Sequence, residues 1–129
     1  GMAKQGYTRA LGEQLETVAL HYLENHGLSL VCRNFQCKLG EIDLVMCEAQ
    51  MLVFIEVRYR RSDRFGSAAE TVDRRKQRKL VRTAQVYLKL QRFSQRKACR
   101  FDILGITGNG STQDYRFDWI PNAFDNETA

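Results

Sequence analysis

Two runs whose polarity alternates at a spacing of two, Glu41 to Cys47 (EIDLVMC) and Met51 to Tyr59 (MLVFIEVRY), constrain the fold most. Period-two alternation is the mark of strands that turn one face to a core. Joining them as a hairpin through Ala49-Gln50, or through the four residues Glu48 to Met51, gives a single register in which paired residue numbers add to 99. Asp43 then lies opposite Glu56, Glu41 opposite Arg58, Val45 opposite Phe54 and Leu44 opposite Ile55. Ile42, Leu44, Met46, Val53, Ile55 and Val57 make one aliphatic face, and the charges collect on the other. An odd-length loop would scatter both sets, because a one-residue slip turns every side chain over.

The remaining elements arrange themselves around this hairpin. Thr8 caps a helix to about His26, with Leu11, Leu15, Val18, Ala19, Tyr22 and Leu23 at helical spacing and Gly27 as its left-handed stop. Leu28 to Phe35 reads as a strand, ended by Lys38-Leu39-Gly40. After the polar stretch Arg60 to Gly66, Ser67 and Glu70 form a capping box that predicts one long helix to about Arg92, with Leu80, Ala84, Tyr87 and Leu88 inward. Arg100 to Thr107 and Tyr115 to Ile120 follow as strands around a Gly-Asn-Gly turn. The expected order is α-β-β-β-α-β-β, an α/β fold with a mixed sheet flanked by helices. A chain of 129 residues suffices for a single domain, 1–129, with 1–7 and 125–129 expected to be flexible and Gly1-Met2 reading as the remnant of a tag.

No apolar run approaches the roughly 18 residues of a membrane span, and no signal peptide is evident, so the expected setting is the cytoplasm, without a membrane partner. The cysteines at 32, 37, 47 and 99 form no C-x-x-C pair and read as free thiols rather than a zinc site. His21 and His26 read as helix-face residues, and Asp102 and Asp118, each after an Arg-Phe, as partners in local ion pairs. Charge is unevenly spread. Residues 58–82 hold ten of the twenty Lys/Arg against Asp63, Glu70 and Asp73. Arg60, Arg61, Arg64, Arg74, Arg75, Lys76, Arg78 and Lys79, with Arg82, would suit the phosphates of a nucleic acid. An ion-paired helix face in water, or a surface for an acidic protein, would carry the same composition.

Carboxylates directly opposed on adjacent strands repel, so Asp43 and Glu56 need a cation. A hard metal such as Mg²⁺ is one answer. Arg58, two residues from Glu56 on the same face, is the other, and spacing alone leaves both open.

The ordered motifs Gly12-Glu13, Arg33-Asn34, Gly40-Glu41-Ile42-Asp43-Leu44-Val45, Phe54-Ile55-Glu56-Val57, Arg60, Arg100-Phe101-Asp102 and Asn122-Ala123-Phe124 resemble the YraN-like family of small bacterial proteins. That family is similar to archaeal Holliday junction resolvases and to the wider restriction-endonuclease-like superfamily. The resemblance implies a restriction-endonuclease-like sheet and a Mg²⁺- or Mn²⁺-dependent endonuclease acting on DNA in preference to RNA, on branched or structured DNA in particular. It also implies a homodimer. Asp43 and Glu56 match the signature metal ligands, with the carbonyl of Val57 as a further ligand and Glu13 as the helix glutamate that reaches the metal directly or through water. Glu16, one turn on, is an alternative to Glu13. The chain departs from the signature at Arg58, where the pattern has lysine. A guanidinium stays charged and cannot act as a base, so Arg58 is left as a phosphate clamp. Lys38 and Lys76 are the other amines that could serve, and ordinary surface lysines are commoner than either role. A catalytically weak or inactive nucleic-acid-binding module with the same fold is the alternative that the substitution leaves open.

Overall fold

The computed structural model describes residues 8–62, 66–93, 97–109 and 114–125. The elements run α1 (Arg9–Asn25), β1 (Ser29–Cys37), β2 (Gly40–Glu48), β3 (Met51–Arg60), α2 (Arg74–Leu90), β4 (Cys99–Asn109) and β5 (Asp114–Phe124), in the expected α-β-β-β-α-β-β order. Residues 1–7, Arg64 and most of the 125–129 tail lie outside the described residues.

The strands form one sheet in the order β1-β2-β3-β4-β5. All neighbours are antiparallel except β3 and β4, which run parallel and are joined through α2. The sheet is therefore mixed because the only helix between strands carries the chain back to the starting end. On one face Leu15, Ala19, Leu20 and Leu23 of α1 pack on Leu44, Met46, Val53, Ile55, Val57, Leu104 and Ile106. On the other, Leu80, Val81, Ala84 and Tyr87 of α2 pack on Val45, Leu52, Phe54, Phe101 and Ile103. Truncating any fully buried leucine of these layers, Leu15 or Leu104 for instance, would cost about 2–5 kcal/mol.

The local signals act largely as read. The Thr8 hydroxyl accepts from the Leu11 N–H, and α1 ends with Gly27 at φ +96 and the Leu28 N–H donating back to the Leu23 carbonyl. The hairpin holds the predicted register from Leu44↔Ile55 to Glu48↔Met51, with Ala49-Gln50 as its turn.

The second helix departs from expectation. Ser67 and Glu70 do bond reciprocally, Glu70 N–H to the serine hydroxyl and Ser67 N–H to the Glu70 carboxylate. They cap only a single 3-10 turn, Ala69–Thr71. The α-helix begins afresh at Arg74, where Asp73 accepts from the Lys76 N–H. Thr71 and Val72, both β-branched, disfavour continuation, and buried Val72 leaves helical geometry at ψ +89 before a second capping residue restarts the helix. The 3-10 turn lies against β4: a Cβ on Gly105 would sit 2.5 Å from that of Ala68.

Candidate functional site

The chemistry-bearing end of the hairpin is shaped by one unusual residue. The β1–β2 ladder passes from Arg33↔Leu44 to Phe35↔Ile42, stepping over Asn34 and Asp43. Asn34 sits at φ +54, a left-handed conformation that asparagine tolerates better than most residues. Each strand changes face there. Cys32 and Phe35, three apart, both pack on the α2 side, as do Val45 and Ile42, whereas Leu44 faces α1. The expectation that Ile42 shares a face with Leu44 is thereby corrected.

On its other flank, β2 pairs with β3 only as far as Leu44↔Ile55. Beyond that point the Val57 N–H donates to Asp43 Oδ2 at 2.8 Å, so a side chain continues where the backbone ladder stops. The expected opposition of Glu41 to Arg58 does not form, because the strands separate first. Gln36 Nε2 donates to Glu41 instead. In extended backbone the N–H and C=O of one residue point to the same edge, which turns the Val57 carbonyl towards Asp43 as well.

Asp43 and Glu56 are both buried, at 1% and 2% exposure. Burial first, and then the neighbouring Glu56 charge and carboxyl contact, hold the Asp43 carboxyl well above the usual carboxylate range; the Val57 N–H works against this. Two cations reach Glu56 Oε2: Arg58 Nη1 at 3.2 Å and Lys76 Nζ at 3.5 Å. Glu56 Oε1 is buried without a hydrogen-bond partner. A buried, unpaired carboxylate oxygen is costly to leave unfilled.

The two cations are held differently. Arg58 donates from Nε to the Thr71 hydroxyl at 2.9 Å, from Nη2 to the Thr71 carbonyl at 3.1 Å and from Nη1 to Glu56, so each guanidinium nitrogen is engaged. Thr71 belongs to the 3-10 turn, which explains why the helix must break there. Lys76 projects from the first turn of α2, its ammonium three-quarters buried and set on Glu56.

Other expected residues fall elsewhere. Glu13 is 76% exposed, 4.0 Å from Arg9 on the same helix, rather than at the Asp43–Glu56 pair. Glu16 is bonded to Arg33 at 3.0 Å; burial, outweighing that partner, raises its pKa. Among the described residues, no three of His, Cys, Asp and Glu gather into a metal-binding cluster. Lys38 is exposed in the β1–β2 turn. Arg75, Lys79 and Arg82 are exposed and Arg78 half-buried, forming one stripe along α2, with Arg74 and Arg61 exposed beside it. Arg60 instead donates to the Gly66 carbonyl. The cysteines at 32, 37, 47 and 99 are free thiols, as expected.

Asp102 exceeds its expected ion pair. Its carboxylate accepts from Arg100, from Trp119 Nε1 at 2.9 Å and from the Asn122 N–H at 2.9 Å, while Arg100 also reaches Glu48 at 2.7 Å. The role of Lys76 was only half legible: helical phase sets it about 100° from Arg75, off the solvent stripe and towards the sheet. No local signal foretold that α2 would cover the charged face of the hairpin.

Comparison with known proteins places this arrangement in a lineage. No helix among the described residues is long and apolar enough to cross a membrane. A model of the uncharacterised protein family UPF0102 matches residues 15–106, a span that holds Asp43, Glu56, Arg58 and Lys76. A UPF0102 protein of Nitrosococcus oceani is 47% identical over 116 residues, 90% of this chain and 92% of its own length. One from Coxiella burnetii is 46% identical over 120 residues, covering 93% and 96%, and one from Serratia proteamaculans 47% over 117 residues, covering 90% and 95%. The chain belongs to the UPF0102 family, the YraN-like family that its motifs resemble.

Proposed function

We propose that the protein is a divalent-metal-dependent endonuclease that hydrolyses phosphodiester bonds in DNA, with Asp43 and Glu56 as its metal ligands. The observation that carries this reading is the buried Asp43–Glu56 pair with one carboxylate oxygen, Glu56 Oε1, left without a partner. The donors fit a hard cation: two carboxylates and the Val57 carbonyl, oxygens all, at a point where the strands part. When bound, Mg²⁺ or Mn²⁺ would supply a nucleophilic water at neutral pH and withdraw charge from the phosphate. The chain's own residues do the rest. Asp43 is oriented by the Val57 N–H, Glu56 is fixed by Arg58, and the stripe Arg75, Arg78, Lys79, Arg82 carries the flanking backbone. Arg74, Arg75 and Lys76 also crowd the positive end of the α2 dipole, where anions are favoured, an arrangement that an incoming polyanion would relieve. Resolvase-like action on branched DNA, and the dimer that symmetric cutting needs, belong to this reading by analogy.

One observation favours a second reading, a nucleic-acid-binding module without turnover. Arg58 and Lys76 together can balance the two acids with no metal present. Incubating four-way-junction, duplex and single-stranded DNA with Mn²⁺ separates the two. Cleavage by the wild type that is abolished in Glu56→Gln supports the nuclease; salt-dependent binding of DNA that stays uncut supports the module.

A further inference from the structure

We propose that Lys76 on α2, and not Arg58 on β3, is the cation that touches the reacting phosphate, and that Arg58 is a positioning residue tying Glu56 to the 3-10 turn. The inference rests on the metal-site reading above. It concerns which side chain occupies the place that a strand lysine two residues past the glutamate would fill.

The donor inventories of the two side chains differ. Nε, Nη1 and Nη2 of Arg58 already donate to the Thr71 hydroxyl, Glu56 and the Thr71 carbonyl. Swinging this guanidinium onto a phosphate would break three hydrogen bonds and strip the 3-10 turn of its anchor on β3. The Lys76 ammonium has three N–H donors, and a single acceptor, Glu56 Oε2, lies within 4.0 Å as an ion-pair partner. It can stay on Glu56 and still present a donor to a non-bridging oxygen or to the attacking water.

Placement of Lys76 is also well determined. Asp73 caps α2 through the Lys76 N–H, fixing the first turn. Helical phase then separates this residue from its cationic neighbours: Arg74, Arg75, Lys79 and Arg82 are exposed, whereas Lys76 is only 24% exposed. A lysine that buries most of its stem to place its ammonium on a carboxylate holds a defined position, unlike one free in water. The site would thus draw its acids from the hairpin and its amine from the helix that follows. The lysine missing from the strand would then be no loss of function.

Three variants of the full chain test this: Lys76→Met, Lys76→Arg and Arg58→Lys. Single-turnover cleavage of the DNA panel with Mn²⁺ is measured beside DNA affinity in Ca²⁺ and the Mn²⁺-induced rise in Tm. Removing a positioned charge from a reacting phosphate slows the chemical step by about 100-fold or more. Lys76→Met is therefore expected to lose that much cleavage while keeping the wild-type Mn²⁺ rise in Tm, and Lys76→Arg to recover part of it. Arg58→Lys is expected to change cleavage by less than about tenfold while lowering the Tm without metal, through loss of the Thr71 contacts. Cleavage by Lys76→Met within about tenfold of wild type, or a gain of about tenfold or more in Arg58→Lys, overturns the assignment. A wild type that cuts nothing overturns it too, and its Mn²⁺ rise in Tm then tells whether the metal-site reading survives alone.

Discussion

Two buried carboxylate sites lie on neighbouring strands of this sheet and are treated in opposite ways. On β4, Asp102 is 1% exposed and both its oxygens are filled: Oδ1 accepts from Arg100 and Asn122, Oδ2 from Arg100 and Trp119. On β3, Glu56 is 2% exposed, pressed against a second acid, with both cations on one oxygen and nothing on the other. The first arrangement is what a structural buried charge requires, since every lone pair left unfilled costs stability. The second leaves an incomplete shell at the centre of the molecule. A fold that can satisfy Asp102 so fully has the means to satisfy Glu56, and the contrast points to a group that completes the shell from outside.

The largest effect is expected at the satisfied site. Asp102→Ala strands Arg100 beside Glu48 and leaves the Trp119 and Asn122 donors without acceptors, so chemical denaturation should show a loss of about 3–5 kcal/mol. A loss below about 1 kcal/mol would erase the contrast between the two sites. Next comes the support for Arg58. Gly105→Ala drives a methyl to 2.5 Å from Ala68 Cβ, displacing the turn that carries Thr71. Overpacking of this kind costs about 1–3 kcal/mol, read in the same assay.

At the incomplete site the sign reverses. The amide of Asp43→Asn still accepts from Val57 and can donate to Glu56, so without metal the variant should be more stable by about 1 kcal/mol near neutral pH. Its pH dependence sharpens the point. Asp43 is raised well above its ordinary range, chiefly by burial and then by Glu56. Its contribution is whole below the unfolded pKa, near 3.8, and declines as pH climbs through the folded value, because the unfolded chain releases its proton first. Metal-free wild type should therefore lose stability across that window and Asp43→Asn should not; parallel pH profiles would remove the coupling. The smallest effect is expected at Glu13, exposed and 4.0 Å from Arg9. Glu13→Ala should change stability by less than about 0.5 kcal/mol and leave metal affinity unaltered, and a weakened metal response would return Glu13 to the site.

Most of the fold was legible because its signals are local or two-body. Capping at Thr8, the stop at Gly27 and the even hairpin loop each act within a few residues, and the register at Leu44↔Ile55 followed from alternation alone. The candidate site was legible in part. Asp43 and Glu56 are brought together by that register, but their burial depends on α2, an element distant in sequence, lying across them. Asn34 carried a faint signal, an asparagine within a strand, yet its left-handed turn exchanges the faces of two strands. The Thr71-Val72-Asp73 sequence held the break in the helix, overlooked because the Ser67–Glu70 box was also real. Glu13 was placed through resemblance, and its helical phase sends it to solvent instead.

The central claim, that the Asp43–Glu56 pair is completed by a divalent cation, is tested most directly by thermal unfolding of wild type and Asp43→Asn with and without Mn²⁺. At a hundredfold excess over its Kd, a ligand specific to the folded state adds about 2.7 kcal/mol, so the wild-type Tm should rise clearly while that of Asp43→Asn moves little. An equal rise in both, or none in either, would contradict the account.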